Sequence, residues 1–259
     1  MLLVIDIGNT EIVIGIYDND TLKGHWRLSS SHPKTIDECW GLLNIWLHND
    51  GFLKKDIQGI IISSVVPYFQ YVFRDMARKK FNIEPVIISY KLDIGIKILY
   101  DSPEMVGADR ICNAVGGYFL YGSPLIIVDF GTATTFDVVS EKGEYIGGVI
   151  ALGLKGASQQ LHHLAAKLPR VELEFPDSVV GTNTEHSMQS GIMWGAVSLI
   201  DGIVKKILEE KKWEEAKLIA TGGMASEIVK RSEILQQTSP FLTLEGMKII
   251  YKRIVNSSL

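Results

Sequence analysis

Two stretches of this chain follow one plan. MLLVIDIGNTEIVIGIYDNDTLKGHW opens it, and PLIIVDFGTATTFDVVSEKGEYIGGV lies near its middle. Each runs from a short apolar strand through Asp-x-Gly and a Thr or Asn into a second apolar strand, a turn and a third strand. The turns, Asp18-Asn19-Asp20 and Glu141-Lys142-Gly143, carry hairpin chemistry. Asp6 and Asp129 stand about half a chain apart. A βββ unit repeated at that spacing predicts two domains, each opening with an antiparallel meander.

Helical and strand patterns then alternate in both halves. Residues 35–49 place Ile36, Trp40, Leu43 and Leu47 at three- and four-residue spacing, which predicts an amphipathic helix. A strand over Gly59 to Ser64, a helix through Tyr71 to Lys80 and a strand over Val86 to Ser89 follow. The second half predicts a long helix from Thr184 to Glu210, a strand over Leu218 to Ala220, a helix near Ala225 to Arg231 and a last helix from Leu244 to Ile254. The class is α/β, with mainly parallel sheets covered on both faces after each meander. The boundary falls near Gly116 to Pro124, giving domains of residues 1–117 and 118–259, with the last helix available to pack back on the first. At 259 residues and 46% hydrophobic content, the chain has enough apolar material for such cores.

The same motifs carry the chemistry. Holding a polyphosphate requires closely approachable backbone N–H groups, hydroxyl donors and a carboxylate that can hold a metal ion or its waters. Gly8, Asn9, Thr10 and Asp6 meet that list in the first meander. Gly131, Thr132, Thr134, Thr135 and Asp129 repeat it in the second. An Asp at the end of a buried strand is costly unless something cationic stands near it. A third element, Ala220-Thr221-Gly222-Gly223-Met224-Ala225, follows an apolar strand and lets a flat ligand such as adenosine lie against backbone. Each alone is an ordinary turn; all three in order, each after a predicted strand, point to a nucleotide. Asp109, within Met105-Val106-Gly107-Ala108-Asp109-Arg110, precedes an apolar helical stretch. Either it complements the helix dipole, an effect of about 0.3–1 kcal/mol, or it accepts a hydroxyl proton in phosphoryl transfer. Arg110 could bind a carboxylate or phosphate with both arms of its guanidinium.

The net charge of −4 is mild and the basic residues are scattered, so no nucleic-acid or membrane-surface partner is expected. Cys39 and Cys112 are far apart, without CxxC spacing, which argues against a disulfide framework or zinc site and fits a reducing cytoplasm. MLLVID has no basic leader or cleavage site and reads as a strand, not a signal peptide. No apolar run approaches a membrane span.

With these residues in hand the chain resembles the type III pantothenate kinases, a branch of the acetate and sugar kinase, heat-shock ATPase and actin superfamily. The markers are DIGNT at 6–10, YDSPEMVGADR at 100–110, DFGTATT at 129–135, AKLPRVE at 166–172, GTNTEHSMQSG at 181–191, TGG at 221–223 and LTLEGMKIIY at 242–251. The resemblance implies two actin-like (ribonuclease H-like) domains, ATP in the cleft, and a cytoplasmic homodimer with the pantothenate pocket at its interface. It implies that Asp6, Ile7, Gly8, Asn9, Thr10, Glu11, Ile12 and Val13, together with Gly131 and Thr132, contact ATP, with Thr221, Gly222 and Gly223 at the adenosine. Asp129 would place a monovalent cation, potassium or ammonium, alongside magnesium, and Asp6 would reach magnesium through a water. Tyr100, Gly107, Ala108, Asp109, Arg110 and Thr184 would contact pantothenate, with Asp109 as the general base.

Two positions depart from the family pattern. Glu11 adds a negative charge beside a phosphate turn and is expected to weaken ATP binding; Leu152 replaces a proline and is expected to alter only a turn. His162 and His163 adjoin in a helix, face different ways and lack metal-ligand spacing. The helix carrying Met188, Ile192, Leu199 and Ile203 also carries Gly191, Gly195 and Ala196, which suits either a dimer seam or a buried core. Residues Glu209 to Glu215 read as a solvated, charged helix end. Two other readings keep the fold: a kinase with another small-molecule acceptor, and a non-catalytic accessory regulator of transcription. The GADR segment argues against the first, and the presence of Asp6, Asp109 and Asp129 against the second.

Overall fold

The structure, a computed structural model, describes residues 1–165 and 168–256. Ala166 and Lys167, which open the AKLPRVE marker, lie outside the described residues. The chain divides into two compact units, one of Met1–Leu120 with Leu242–Leu259 and one of Tyr121–Phe241.

In the first unit β1 (Leu2–Ile7), β2 (Glu11–Asp18) and β3 (Thr21–Ser29) form the meander. Asn19 makes its hairpin turn with φ of 53°. Next come α1 (Ile36–Asn49), β4 (Gly59–Ser64), α2 (Pro67–Met76), β5 (Val86–Ile87), the two-residue strand β6 (Lys97–Ile98) and α3 (Ala108–Tyr121). The sheet order is β3-β2-β1-β4-β5, with β1 antiparallel to β2 and parallel to β4. Thr35 caps α1 in a capping box with Glu38, so the helix begins at Ile36, one residue after the start of the predicted 35–49 span. The helix expected over Tyr71 to Lys80 starts earlier, because Pro67 can occupy its first turn without losing a hydrogen bond. It passes through a wider turn at Ala77–Phe81 and stops at Asn82, whose φ of 58° cannot continue it. The strand expected through Ser89 ends at Ile87.

Alternation along β1 and β2 sends Leu3, Ile5, Ile7, Ile12, Ile14 and Ile16 to one face, against Leu43 and Leu47 of α1 and Phe69, Phe73 and Met76 of α2. The opposite face is covered by α7 (Leu242–Asn256), the last element of the chain, which begins two residues before its expected start. Leu244 reaches Gly15, and the Tyr251 ring occupies the space where Gly59 has no side chain. The α7 and α3 backbones cross very closely: a Cβ added at Gly246 would stand 1.9 Å from the Cys112 carbonyl oxygen, and one at Gly116 2.7 Å from that of Leu242.

The second unit contains β7 (Leu125–Phe130), β8 (Ala133–Val139), β9 (Glu144–Leu152), α4 (Leu154–Leu164), α5 (Thr184–Lys211), β10 (Lys217–Gly222), α6 (Ala225–Val229) and β11 (Gln237–Thr238). Its strands run β11-β10-β7-β8-β9, the first unit's order repeated strand for strand. β7 is antiparallel to β8 and parallel to β10, as β1 is to β2 and β4. Each meander has a register shift near the far end of its second strand, at Ile16/Tyr17 and at Val138/Val139. Ile126, Val128, Phe130, Phe136 and Val138 pack against Met193, Val197, Ile200 and Val204 of α5. That helix therefore serves as a core wall, while Gly191, Gly195, Ser198 and Leu199 remain exposed along its other side.

Candidate active site

The first Asp-x-Gly turn is held at both ends. Gly8 N–H donates to the Glu11 carbonyl at 2.9 Å, Ser30 Oγ donates to the Gly8 carbonyl at 2.8 Å, and Ser30 N–H donates to the Thr10 carbonyl at 3.0 Å. A Cβ at Gly8 would approach the Glu11 carbonyl oxygen to 3.1 Å, so the tight turn favours glycine. Asn9 is exposed and Thr10 half-buried, whereas Ile7 and Ile12 point their side chains into the core and offer a ligand only backbone; Val13 is half-buried. Glu11, expected to add a negative charge beside the phosphate turn, pairs with Arg27 of β3 at 2.7 Å. Thr10, Glu11, Arg27, Ser29 and Ser31 line a shallow depression of about 300 Å³ beside the turn.

Asp109 sits in the first turn of α3. Its Oδ1 accepts the Arg110 N–H at 2.8 Å, satisfying one of the amides that a helix start leaves unpaired. Gly107 leaves room for this carboxylate: a Cβ there would come within 2.4 Å of Oδ1. Burial raises the Asp109 carboxyl above the ordinary carboxylate range, against the lowering effect of the Arg110 N–H and guanidinium. Ala108 and Arg110 are buried. Tyr100 is half-buried in the loop ahead of α3.

Asp6, near the end of β1, accepts a hydrogen bond from Ser63 Oγ at 2.8 Å. Ser63 is hydrogen-bonded in turn to the thiol of Cys112, one helical turn beyond Asp109. Burial, then the charges of Asp6 and Asp109, push this thiol well above its usual range and keep it protonated. The sequence marks Cys112 only as one of two separated thiols and does not mark Ser63 as a site residue. The only signal for Ser63 is a polar residue closing the apolar run Gly59 to Ile62.

In the second unit Asp129 stands at the matching point of β7, half-buried, with Gly131 and Thr132 exposed in the turn beyond it and Thr134 and Thr135 on β8. Thr221 pairs with Asp129 across the β10–β7 ladder. Gly222 follows with φ of 88°, and a Cβ on it would lie 2.6 Å from Asp129 Oδ1. Gly223 N–H donates to the Phe130 carbonyl at 3.2 Å, drawing the glycine pair against the strand. Gly153, ahead of α4, packs against the Gly131 and Thr132 carbonyls with no room for a side chain, while Leu152 before it is exposed. Thr184 begins α5, whose N-cap Asn183 accepts the His186 N–H at 2.8 Å. It lines a depression of about 510 Å³ with Leu161, Leu168, Thr182 and Met188. His162 and His163 both lie on α4; His162 Nδ1 is 2.7 Å from the Leu168 carbonyl oxygen.

Among the described residues no three His, Cys, Asp or Glu side chains gather as a metal cage. Asp6 and Asp129 instead stand singly beside turns rich in N–H and hydroxyl donors. Such sites fit magnesium that keeps its waters and shares its shell with phosphate oxygens, since this ion is commonly held by one or two carboxylates plus the nucleotide. Among the same residues no helix is long and apolar enough to cross a membrane.

The repeated sheet order defines an α/β protein of the actin-like ATPase and sugar kinase fold. The activator of 2-hydroxyisocaproyl-CoA dehydratase from Clostridium difficile, solved with bound ADPNP, superposes with a TM-score of 0.57 at 14% identity, covering 99% of this chain and 96% of its own. A Campylobacter jejuni protein classed by name with the Baf family of transcriptional activators superposes with a TM-score of 0.61 at 22% identity, covering 99% of this chain and 100% of its own. Both identities speak to fold alone. Within the fold the chain belongs to the type III pantothenate kinase family, whose profile matches residues 2–206. The type III pantothenate kinase of Halalkalibacterium halodurans is 48% identical over 255 residues, spanning 98% of this chain and 100% of that one.

Proposed function

We infer that this chain transfers the γ-phosphoryl group of ATP to the hydroxyl of pantothenate, giving 4'-phosphopantothenate, the first step toward coenzyme A. The observation that carries this reading is the 48% identity, over nearly the whole of both chains, with a type III pantothenate kinase. The hydroxyl oxygen attacks the γ-phosphorus, its proton passes to the Asp109 carboxylate, and the bond from the γ-phosphorus to the β,γ-bridging oxygen breaks as ADP leaves. The placement of Asp109 at the start of α3, with its environment favouring proton uptake, supports that role. The first turn, Asp6 and Gly8 to Val13, contributes N–H and hydroxyl donors to the phosphates, with Ile7 and Ile12 contributing backbone alone. Gly131 and Thr132 do the same from the second unit, and Thr221 to Gly223 receive the adenosine. Asp129 would help hold a monovalent cation, potassium or ammonium, and Asp6 would reach magnesium through a water. Those ions, when bound, balance the charge of the phosphate oxygens. Tyr100, Gly107 to Arg110 and Thr184 receive pantothenate. The working form is a cytoplasmic homodimer whose substrate pocket lies at the interface.

The test is ADP release from ATP and magnesium with pantothenate, acetate, glycerol or glucose, in potassium or in sodium. Turnover with pantothenate alone, greater in potassium, is expected. Nucleotide binding without turnover on any acceptor would overturn the kinase reading in favour of a regulator.

A further inference from the structure

We propose that Ser63 and Cys112 are positioning residues that fix the Asp6 carboxylate for its work on the nucleotide and its metal. This rests on the reading of Asp6 given above. Both side chains are fully buried, at 0% exposure, and the strand that carries Ser63 is otherwise apolar from Gly59 to Ile62. A buried hydroxyl in such a place is unfavourable unless it is satisfied, and alanine would fill the Ser63 position without that demand. Here that demand is met: Ser63 Oγ donates to Asp6 Oδ1 at 2.8 Å, and the Cys112 thiol is hydrogen-bonded to Ser63. The Ser63–Asp6 bond is charge-assisted, stronger than one between neutral groups, and it removes a rotational freedom that Asp6 would otherwise keep.

The duplicated architecture supplies an independent observation. In the parallel pairing of β1 with β4, Asp6 lies opposite Ser63; in the pairing of β7 with β10, Asp129 lies opposite Thr221. Thr221 is also buried, at 2% exposure. A sequestered hydroxyl thus stands at the same rung beside each carboxylate, in units whose surrounding side chains differ. Packing alone gives no reason for a hydroxyl to recur at that rung. Cys112 extends the first relay onto α3, where Asp109 sits three residues earlier and hence on a neighbouring face of the same helix. The relay links the strand that carries Asp6 to the helix that carries the proposed base.

The experiment uses the full chain with Ser63→Ala, Ser63→Thr, Cys112→Ala, Cys112→Ser and Asp6→Asn. Calorimetric affinity for magnesium–ATP, the magnesium concentration giving half-maximal turnover and thermal unfolding are measured for each. Outer-shell partners of metal-facing groups typically change affinity or activity by about 10–100-fold. Ser63→Ala is therefore expected to raise the magnesium requirement and weaken nucleotide binding by about 10-fold, with Ser63→Thr recovering most of the loss. Ser63→Ala should add nothing in the Asp6→Asn background. If Ser63→Ala does not fold, the cysteine pair decides: alanine should raise the magnesium requirement and serine recover it. Asp6→Asn with a raised magnesium requirement beside Ser63 and Cys112 variants without one would overturn the relay alone. An Asp6→Asn variant with unchanged magnesium response would overturn the reading of Asp6, and the relay with it.

Discussion

Replacing Gly246 by alanine sets two known effects against each other at one position. In an unconstrained helix interior alanine is favoured over glycine by about 1 kcal/mol, since glycine loses more backbone freedom on folding. At Gly246, however, the new methyl would lie 1.9 Å from the Cys112 carbonyl oxygen, more than 1 Å inside any distance a real Cβ adopts. The obstacle is backbone, so no rotamer change relieves it and α7 must move off α3. Overpacking of this kind costs typically 1–3 kcal/mol; taking the upper end because both partners are rigid, the net loss is about 2 kcal/mol. For a chain of this size that lowers Tm by roughly 4–8 °C. Gly41 of α1 is the control, because a Cβ there meets nothing within 4 Å; Gly41→Ala should raise stability by about 0.4–1 kcal/mol. Scanning calorimetry and urea unfolding of both variants make the comparison. The Gly246→Ala protein should also lose turnover, since α3 carries Asp109 and Cys112. A Gly246→Ala protein as stable as its parent, or more so, would refute the account of the α3–α7 crossing.

Asp109→Asn should lower turnover by about 10²–10⁴-fold while ATP affinity stays within about 2-fold; unaltered turnover would remove Asp109 as the base. The same variant should be more stable than its parent at neutral pH. Burial raises the folded carboxyl above its unfolded value, so its contribution to stability is fully present below the unfolded value and is lost as pH rises through the folded one. The stability difference should therefore close as pH falls toward the ordinary carboxylate range, and a constant difference across pH would contradict this. For wild-type turnover, the acid limb should lie above that range. Asp129→Asn should raise the potassium concentration needed for half-maximal activity; an identical potassium response would discard the cation assignment. Arg27→Ala should raise KM for ATP about 5-fold at constant kcat, because unmasking Glu11 near phosphate costs about 1 kcal/mol at 4 Å in water. Glu11→Gln in that background should restore it, and no restoration would mean that Arg27 acts otherwise.

Local periodicity made most elements legible. The strand Gly59–Ser64 and the start of α5 at Thr184 fall where the pattern puts them, and both Asp-x-Gly turns follow strands. Helix ends set by capping were less legible, as at Pro67 and Asn82, where one residue's backbone preference outweighs the apolar pattern around it. Contacts that depend on register across the fold were not legible at all. Nothing near Glu11 in the sequence announces Arg27, which arrives by the β2–β3 hairpin pairing, and nothing near Asp6 announces Ser63 or Cys112. Those neighbours exist because β4 pairs with β1 in one register and α3 passes alongside.

The placement of α7 bears on how the protein is made. Residues Tyr121–Phe241 form a unit from one continuous stretch, whereas the unit holding Asp6 and Asp109 lacks its covering helix until Leu242 onward has been synthesised. At about 5–20 residues per second, the intervening 121 residues occupy a ribosome for roughly 6–24 s. Throughout that interval the sheet surface around Val4, Gly15 and Gly59 has no helix to cover it, and the nascent chain presents there an apolar face open to chaperones or to other unfinished chains.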